Sequence, residues 1–241
     1  AQMKAATADN PLIAEKMQTD NEVDRLKLLQ RDWITQQSRY KLDIEEKLPS
    51  KLDRLNKRIV KLEKDIELLK ANPVIADGFR MEVKGDYYSE RTEAGEALIR
   101  EFEKYMSSDE CKKGEPSEMI GKFRGFEISF FAASIMSSTV RLTGCSGIVY
   151  DCDFSLSNVG ACIRIENLAG GIPERKEAAY REIGNVEKEL EIAGQQYGKP
   201  FEFAQELDRL TLKQSEINDK LEFGQGCDEF QQNCEAENME L

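Results

Sequence analysis

The sequence predicts an α+β protein in which a long antiparallel helical coiled-coil arm carries a small inserted β-α-β-β-β-β head. Two stretches place apolar residues at alternating spacings of three and four, which is typical of amphipathic helices. The segment between them alternates apolar and polar residues with period two, which is typical of strands. Each helical stretch has one break at a similar distance from that segment, which suggests that the two stretches pair.

The chain before the first helical stretch, residues 1–19, is predicted to be a short helical lead-in from an upstream domain. Residues 9–12 read Asp-Asn-Pro-Leu, which raises the alternative of an adenine-methylase loop. That loop needs a second proline, an aromatic residue and a preceding strand, whereas a helix-like segment precedes these residues. We therefore interpret them as a turn in which Pro11 starts a short helix.

The first helical stretch is predicted to contain two helices, at about 20–47 and 50–72, with Pro49 between them. Proline removes a helix hydrogen bond and clashes with the preceding turn. Ser50 and Asp53 form a capping pair that restarts the helix. The apolar positions of the stretch are Val23, Leu26, Trp33, Tyr40, Ile44, Leu48, Leu52, Leu55, Ile59, Leu62, Ile66 and Leu69. They form one seam with charged residues on the other faces, as in a coiled coil.

The second helical stretch, residues 174–222, repeats this pattern and is interrupted at Gly198-Lys199-Pro200. Pro49 and Gly198 lie almost equally far in sequence from the inserted segment. If the stretches run antiparallel, the two breaks fall opposite each other and form a joint in the coiled coil. The acidic tail, residues 223–241, has no periodicity and no basic residue, so it is expected to be disordered.

The inserted segment, residues 73–173, is predicted to form the head. Its period-two alternation predicts strands at about 79–83, 126–130, 140–142, 148–154 and 161–165. One amphipathic helix is predicted at about 91–106. Ser157, Asn158 and Gly160 are interpreted as the turn before the last strand. The head is therefore expected to be a mostly antiparallel sheet covered on one face by a helix.

The composition excludes several classes of function. The 241 residues carry a formal net charge of −12 and include no histidine. An acidic chain is repelled by phosphate backbones, which disfavours nucleic-acid binding over a broad surface. The lack of histidine removes the commonest general base and the commonest zinc ligand. The cysteines form no Cys-x-x-Cys pair, so we predict reduced thiols, no metal site and no cofactor in this chain.

Catalytic residues are not predicted anywhere in the chain, so it is not expected to be an enzyme by itself. A phosphate-binding P-loop ends in Gly-Lys-Ser/Thr, whereas Gly121 and Lys122 are followed by Phe123. Asp151 and Asp153 share one face of a strand, but the alternate residues there are apolar. The two carboxylates are therefore expected to face solvent rather than to hold a metal ion.

The sequence also bears on location and partners. It has no signal-peptide pattern and no apolar run near the ~20 residues that span a bilayer. We therefore predict a cytoplasmic protein with no membrane partner, and the sequence leaves a small-molecule ligand open.

Three basic residues of the predicted sheet are candidates for nucleic-acid binding. Lys122, Arg124 and Arg141 give the middle strands a locally basic character, and Phe123 and Phe126 lie close to them in sequence. Basic residues interleaved with aromatic ones can grip single-stranded nucleic acid. The alternative is that all three are ordinary sheet residues.

Six separated blocks of the sequence carry a family resemblance. They are DNPLIAEKM, NEVDRLKLL, YYSERTEAGEALI, IGKFRGFEISF, GGIPERKEAAYREIGNVEKEL and GKPFEFAQELDRL. In this order they resemble the C-terminal region of very large proteins carried by conjugative elements and phages. Those proteins join an adenine-specific DNA methylase-like domain to a Snf-related, DEAD/DEAH-type helicase. The resemblance covers residues 1–222 and leaves the acidic tail outside it.

The resemblance implies that the helicase motor and the methylase lie upstream of this region. Their functional residues have no counterparts here, so none is carried over. Residues 9–11 correspond to a Gly-Asn-Pro-type turn just after the family's helicase core, and residues 91–97 belong to the helix of the insert. This chain is therefore expected to be a fragment, as its missing initiator Met also suggests.

The expected function is that of a non-catalytic accessory module of a mobile-element helicase/methylase. The arm would position the head for contacts with DNA or with the upstream domains of the parent chain. The alternative is a coiled-coil scaffold for protein interactions that makes no contact with DNA, and the net charge of −12 favours this second interpretation.

Overall fold

The computed structural model describes the backbone of residues 11–74, 78–134 and 137–237, and the side chains of residues 11–74, 78–132 and 138–222. Within these residues, helices combine with one six-stranded antiparallel sheet, which confirms the α+β class. The chain divides into two compact units. The first unit joins Ala1–Lys47 to Leu190–Leu241, and the second unit is Leu48–Glu189.

The helices and strands alternate along the chain as follows. The helices are α1 (Pro11–Leu42), α2 (Leu48–Ala71), α3 (Arg91–Met106), α4 (Asp109–Lys113), α5 (Asn158–Gly170), α6 (Ile172–Gln196) and α7 (Ala204–Glu237). The strands are β1 (Met81–Val83), β2 (Asp86–Tyr88), β3 (Gly121–Phe123), β4 (Phe126–Ser134), β5 (Ser137–Thr143) and β6 (Val149–Asp153). A π-helical segment, Asp43–Lys47, lies between α1 and α2.

The predicted break between two helices at Pro49 is not found. The backbone takes π-helical geometry over Asp43–Lys47, and α2 begins at Leu48, before the expected restart at Ser50. Pro49 thus lies in the first turn of α2, where its missing N–H is tolerated. The wider π turn before it accommodates the proline ring without ending the helix.

The other predicted proline start agrees with the structure. Pro11 begins α1, although α1 then continues to Leu42 rather than ending as a short lead-in near residue 19. The turn expected at residues 9 and 10 lies outside the described residues.

In the first unit, α1 and α7 run antiparallel. Near the start of α1, Glu15 pairs with Lys213 at 2.7 Å. Farther along α1, the Trp33 ring lies 6.0 Å from the ring of Phe201, which precedes α7. Between these contacts, an apolar cluster contains Val23, Leu26 and Leu207, with Leu29, Phe201, Phe203 and Leu210 packed against it. Later residues of α1 therefore contact earlier residues of the α7 region, as expected for antiparallel helices.

The two breaks do not face each other, so this prediction is wrong. In the first unit the Gly198 N–H donates to Gln37 Oε1 at 2.7 Å, which places the break after α6 beside α1. In the second unit Lys51, which follows Pro49, pairs with Glu182 of α6 at 3.0 Å. The proline of α2 therefore lies beside the middle of α6.

This register differs from the predicted one because the last turns of α2 pack on the sheet. Asp65 of α2 accepts a hydrogen bond from Tyr150 of β6 at 2.7 Å. Near the start of α6, Lys176 pairs with Glu63 at 2.9 Å. Since the residues of α2 beyond Glu63 face the sheet, α6 pairs with an earlier part of α2 than sequence symmetry suggests.

The sheet of the second unit has the strand order β2-β1-β3-β4-β5-β6, and every neighbouring pair is antiparallel. Two of its hairpins close through two-residue turns. Lys84 and Gly85 have φ angles of 51° and 92°, and Arg124 and Gly125 have φ angles of 48° and 84°. Positive φ at both central residues is the pattern of type I′ turns, whose twist matches that of paired strands.

One face of the sheet is covered by helices, and the core lies between them. Alternate strand residues are buried against α3 and α5. The Phe130 ring lies 5.2 Å from Phe102 of α3 and 4.9 Å from Phe154, in edge-to-face contacts. Aromatic pairs of this geometry add about 0.5–1.5 kcal/mol to what area burial contributes. The predicted helical cover on one face is thus found, although α3 and α5 share it with the last turns of α2 and no single helix provides it.

Most of the predicted head elements are found. The predicted helix at 91–106 is α3, and the strands predicted at 79–83, 126–130, 140–142 and 148–154 are β1, β4, β5 and β6. The structure adds β2 and β3, each of 3 residues. Neither is part of a longer alternating run, whereas β1, of the same length, continues an alternation that begins at Phe79.

The fifth predicted strand, at 161–165, is wrong, because these residues belong to helix α5. The buried residues of α5 are Ala161, Cys162, Ile165, Leu168 and Ala169, which follow helical rather than period-two spacing. Ile163, which the alternation placed inside, is 43% exposed. The Ser157 hydroxyl accepts a hydrogen bond from the Gly160 N–H and caps the helix, so the expected turn is an N-cap.

The acidic tail was predicted to be disordered from residue 223 onwards, but α7 continues to Glu237. Extending an existing helix fixes one residue for each hydrogen bond gained, whereas starting a new helix is costly. A segment without its own apolar periodicity can therefore continue a helix that begins upstream. Residues 238–241 lie outside the described residues.

Candidate functional site

Lys122, the first predicted nucleic-acid contact, lies in β3 between two carboxylates. Its Cα partner on β1 is Glu82, and its Cα partner on β4 is Glu127. Residues directly opposite each other in an antiparallel pair project from the same face of the sheet. The exposed Lys122 ammonium is therefore flanked on both sides by negative charge.

Arg124, the second candidate, is engaged with the end of α2. It lies in the turn between β3 and β4, where its Nε donates to Asn72 O and its Nη2 donates to Leu69 O, both at 2.9 Å. The last carbonyls of a helix lack intrahelical partners and carry the negative end of the helix dipole. Arg124 thus caps α2 and ties it to the sheet.

Arg141, the third candidate, lies on the outer face of β5. Its guanidinium carbon is 3.8 Å from the centre of the Phe131 ring, and its Cα partners are Ser129 and Asp151. A guanidinium over an aromatic face is stabilised by the ring quadrupole. Its Nε is buried and has no hydrogen-bond partner among the described residues. Arg141 is therefore held flat against the sheet.

The structure does not bring the three candidates together into one basic surface. Lys122 and Arg141 share the outer face of the sheet, whereas Arg124 turns towards α2. The described carboxylates on the same outer face are Glu82, Glu127, Asp151 and Asp153. Asp151 and Asp153 are exposed, as predicted. Acidic groups therefore outnumber basic ones on the described part of this face.

A cleft of about 480 Å³ lies where α2 ends beside β1 and β3. Its lining includes Lys122 and Arg124 together with Arg80, Glu82 and Tyr87. The Arg80 guanidinium lies 4.5 Å from the centre of the Tyr87 ring. Cations, a carboxylate and an aromatic ring thus line the same cleft, and this mixed lining selects no single class of ligand.

A buried carboxylate, Asp65, is the polar feature that the sequence analysis missed. Tyr150 donates its hydroxyl hydrogen to Asp65 Oδ2 at 2.7 Å, and the Ser146 N–H donates to Asp65 Oδ1 at 3.1 Å. The Ser146 hydroxyl also donates to Asp65, and the Cys145 thiol lies 3.8 Å from Oδ1. A buried carboxyl group is tolerated when its oxygens are hydrogen-bonded, and both oxygens of Asp65 accept hydrogen bonds here.

The sequence did contain a signal for this carboxylate. Asp65 follows Leu62 by three residues and precedes Leu69 by four, so it lies beside the seam position Ile66 on the same side of the helix. An acidic residue at such a position is rarely buried unless it is paired. Its donors lie on the β5–β6 connection and on β6, so the role of Asp65 is to dock α2 on the sheet.

The environment of this cluster also affects Tyr150. Burial, followed by the hydrogen bond to Asp65, raises the pKa of the Tyr150 hydroxyl well above its usual value. The Arg175 guanidinium lies 5.3 Å from the centre of the Tyr150 ring and opposes this effect. Because Tyr150 and Asp65 are both buried and are hydrogen-bonded to each other, neither presents an exposed polar group to a substrate.

The thiols whose pKa is shifted are not activated nucleophiles. Burial raises the pKa of Cys162 to about 12, and its Sγ lies 3.3 Å from the Arg91 carbonyl. Burial also raises the pKa of Cys152. Reactive cysteines instead have lowered pKa values and polar, positively charged surroundings.

Within the part of the chain that the structure describes, no group of three or more His, Cys, Asp or Glu side chains is placed to hold a metal ion. Also within it, no helix combines the length and the apolar character that crossing a membrane requires.

Comparison with known proteins adds no relative. No protein-family profile matches the chain, and neither a curated protein nor a solved structure matches it.

Proposed function

We propose that this chain is a non-catalytic accessory module that makes contacts with other protein domains. The composition of the outer sheet face carries this proposal. Each basic residue of the strands on that face has a carboxylate as its cross-strand neighbour: Glu82 and Glu127 beside Lys122, and Asp151 beside Arg141. Such a face attracts phosphate backbones weakly, because binding them depends on unpaired cations.

The engagement of Arg124 supports the same proposal. Its guanidinium is committed to the carbonyls of Leu69 and Asn72, so DNA would have to compete with the cap of α2. Exposed aromatic residues, such as Tyr87 at 64% exposure, are instead enriched on surfaces that contact proteins.

The paired helices are proposed to be the coiled-coil part of this module. In the first unit, Val23 and Leu26 of α1 are completely buried, and Leu207 of α7 is 7% exposed. In the second unit, α2 and α6 are joined by the Lys51–Glu182 and Glu63–Lys176 ion pairs. A seam of buried apolar residues bordered by ion pairs is the pattern of coiled coils.

The parent is proposed to be a mobile-element helicase joined to a DNA methylase, with its upstream domains as the contacted partners. The six sequence blocks that resemble the C-terminal region of such proteins support this context. The reading frame upstream of Ala1 tests it. Helicase motifs in the same frame support the proposal, and a frame without them refutes it.

DNA binding by the isolated chain separates this proposal from a DNA-contacting module. Fluorescence anisotropy with labelled single- and double-stranded DNA at low salt should show no binding that depends on the sheet face. The test variant is K122A/R141A, and R124A is the control because its guanidinium faces α2. DNA binding that weakens about tenfold in K122A/R141A, but not in R124A, would overturn the proposal.

A further inference from the structure

Among the described strands, β6 lies at one end of the sheet and has a neighbouring strand on one side only. In the order β2-β1-β3-β4-β5-β6, β6 pairs with β5, and the elements that pack most closely on it are β5 and α5. Helix α5 covers the core face of this end of the sheet, while Val149 is 50% exposed and Asp151 and Asp153 are also exposed.

The hydrogen-bond pattern shows which backbone groups β6 presents at this edge. The Phe154 N–H donates to Ser138 O at 2.9 Å. In an antiparallel ladder, hydrogen-bonded and non-hydrogen-bonded pairs alternate, so Tyr150 and Cys152 also bond to β5. The N–H and C=O groups of Val149, Asp151 and Asp153 therefore point away from the sheet.

Among the described residues, one of these outward groups has a partner. The Asp153 carbonyl accepts a hydrogen bond from Arg164 Nη1 of α5 at 2.8 Å. No hydrogen bond joins the N–H and C=O groups of Val149 and Asp151 to other described residues. An exposed row of unpaired backbone groups is a template for the addition of another strand.

The side chains along the edge select the kind of strand that fits. Asp151 and Asp153 project from the outer face, directly beside the unpaired backbone groups. In a second copy paired through β6, these carboxylates would face the same carboxylates, and like charges opposite each other destabilise a pair of strands. A strand with Lys or Arg at the facing positions would instead gain favourable cross-strand pairs.

We propose that the β6 edge binds an extended, basic segment of a partner protein by strand addition. The residue opposite Asp151 would exchange two backbone hydrogen bonds with it and would be Lys or Arg. The following residue of the added strand would point to the core side of the sheet, near the half-buried Cys152 and near Arg164. It would be small or apolar. This inference rests on the proposed function, since it names the chemistry of a protein contact.

The test uses the full chain and a synthetic peptide in which Lys and Val alternate, capped at both ends. Its control is the same peptide with N-methyl groups on the amides that would face β6, so the charge is unchanged. Isothermal titration should give a Kd about tenfold higher for the methylated peptide, because its hydrogen bonds to the edge are lost. Hydrogen exchange at the Val149 and Asp151 amides should slow with the unmodified peptide only.

The edge variants provide the matched second test. V149P removes one outward N–H without breaking a ladder bond, and D151K/D153K reverses the charge of the edge. Both should weaken binding of the unmodified peptide about tenfold, whereas D53K, an exposed substitution on α2, should not. Equal binding of the two peptides, or an unaltered Kd in both edge variants, would overturn the inference.

Two further outcomes separate the inference from the function on which it rests. A native dimer in light scattering whose β6 amides are protected would overturn the inference, because the edge would then accept a second copy. If the chain binds neither the peptide nor DNA, the proposed protein-contact function stands and only the β6 edge is excluded as its site. Sheet-dependent DNA binding would instead remove the proposed function.

Discussion

The Tyr150 hydroxyl donates a hydrogen bond to Asp65 Oδ2 at 2.7 Å, and the two side chains are 1% and 0% exposed. This bond connects α2 to β6 across residues that are far apart in sequence. Ser146 contributes its N–H and its hydroxyl to the same carboxylate. The helix is therefore fixed on the sheet by a buried carboxyl group that accepts hydrogen bonds from surrounding donors, in addition to apolar packing.

Replacing Asp65 should destabilise the second unit strongly. D65A leaves the buried Tyr150 hydroxyl and the half-buried donors of Ser146 without their acceptor, so we expect a loss of about 2–4 kcal/mol in the free energy of unfolding. The control is D53A on the same helix, because the Asp53 side chain is 58% exposed and pairs only with Lys57. D53A should change stability by less than about 0.5 kcal/mol. Urea unfolding followed by circular dichroism measures both, and similar small effects would contradict the assigned role of Asp65.

Tyr150 should make the protein lose stability at alkaline pH. Its pKa is raised in the folded state, so above its ordinary value of about 10 the unfolded chain releases the proton while the folded chain keeps it. The stabilisation from this group is therefore complete below pH of about 10 and declines as the pH rises further.

The variant Y150F isolates this effect, because every other titrating group is common to both proteins. Urea unfolding between about pH 8 and pH 11 should show wild type more stable at the lower pH. The difference should shrink by up to about 1.4 kcal/mol for each pH unit above 10. A difference that stays constant over this range would show that Tyr150 titrates normally.

Gly95 should tolerate no side chain, because α3 and α5 approach closely there. A Cβ at this position would lie 1.9 Å from the backbone oxygen of Asn158. G95A should therefore force the helices apart and cost about 1–3 kcal/mol. The matched control is G184A in α6, where a Cβ would meet nothing within 4 Å and alanine should stabilise the helix by about 0.5–1 kcal/mol. Opposite signs in chemical unfolding are expected, and a stabilising G95A would refute this packing.

Patterns longer than a few residues were predictable, and short or competing ones were not. Helix α3 repeats its apolar face over several turns, so its bounds could be predicted. In α5, Ala161, Ile163 and Ile165 also satisfy period two, and only the burial of Cys162 and Leu168 identifies a helix. The 3 residues of β3 extend into no longer alternating run and so give no detectable period, unlike those of β1, which follow Phe79 in one. Whether a segment could be predicted as helix or strand therefore depended on how many repeats of the apolar pattern it contains.

The candidate site depended on contacts that sequence spacing does not reveal. Arg124 looks like any basic residue beside a strand, yet its partners are carbonyls at residues 69 and 72 of a different element. The tertiary fold decides which basic side chains remain available to a ligand. Lys122, Arg124 and Arg141 could therefore be identified as candidates from the sequence, but the sequence could not show which of them already has a partner within the chain. The outward face of Asp151 and Asp153, in contrast, followed from strand alternation alone.

Leu26 and Leu28 of α1 should have very different effects on the first unit. Leu26 is 0% exposed and packs in the cluster with Val23 and Leu207, whereas Leu28 is 61% exposed. L26A should lower stability by about 2–4 kcal/mol through lost burial and an unfilled cavity. L28A should change it by less than about 0.5 kcal/mol. Hydrogen exchange of the α1 and α7 amides reports on this unit directly, and we expect faster exchange in L26A only. Equal exchange in the two variants would mean that α1 and α7 are not held together by this apolar seam, which would remove the basis for a coiled coil in this unit.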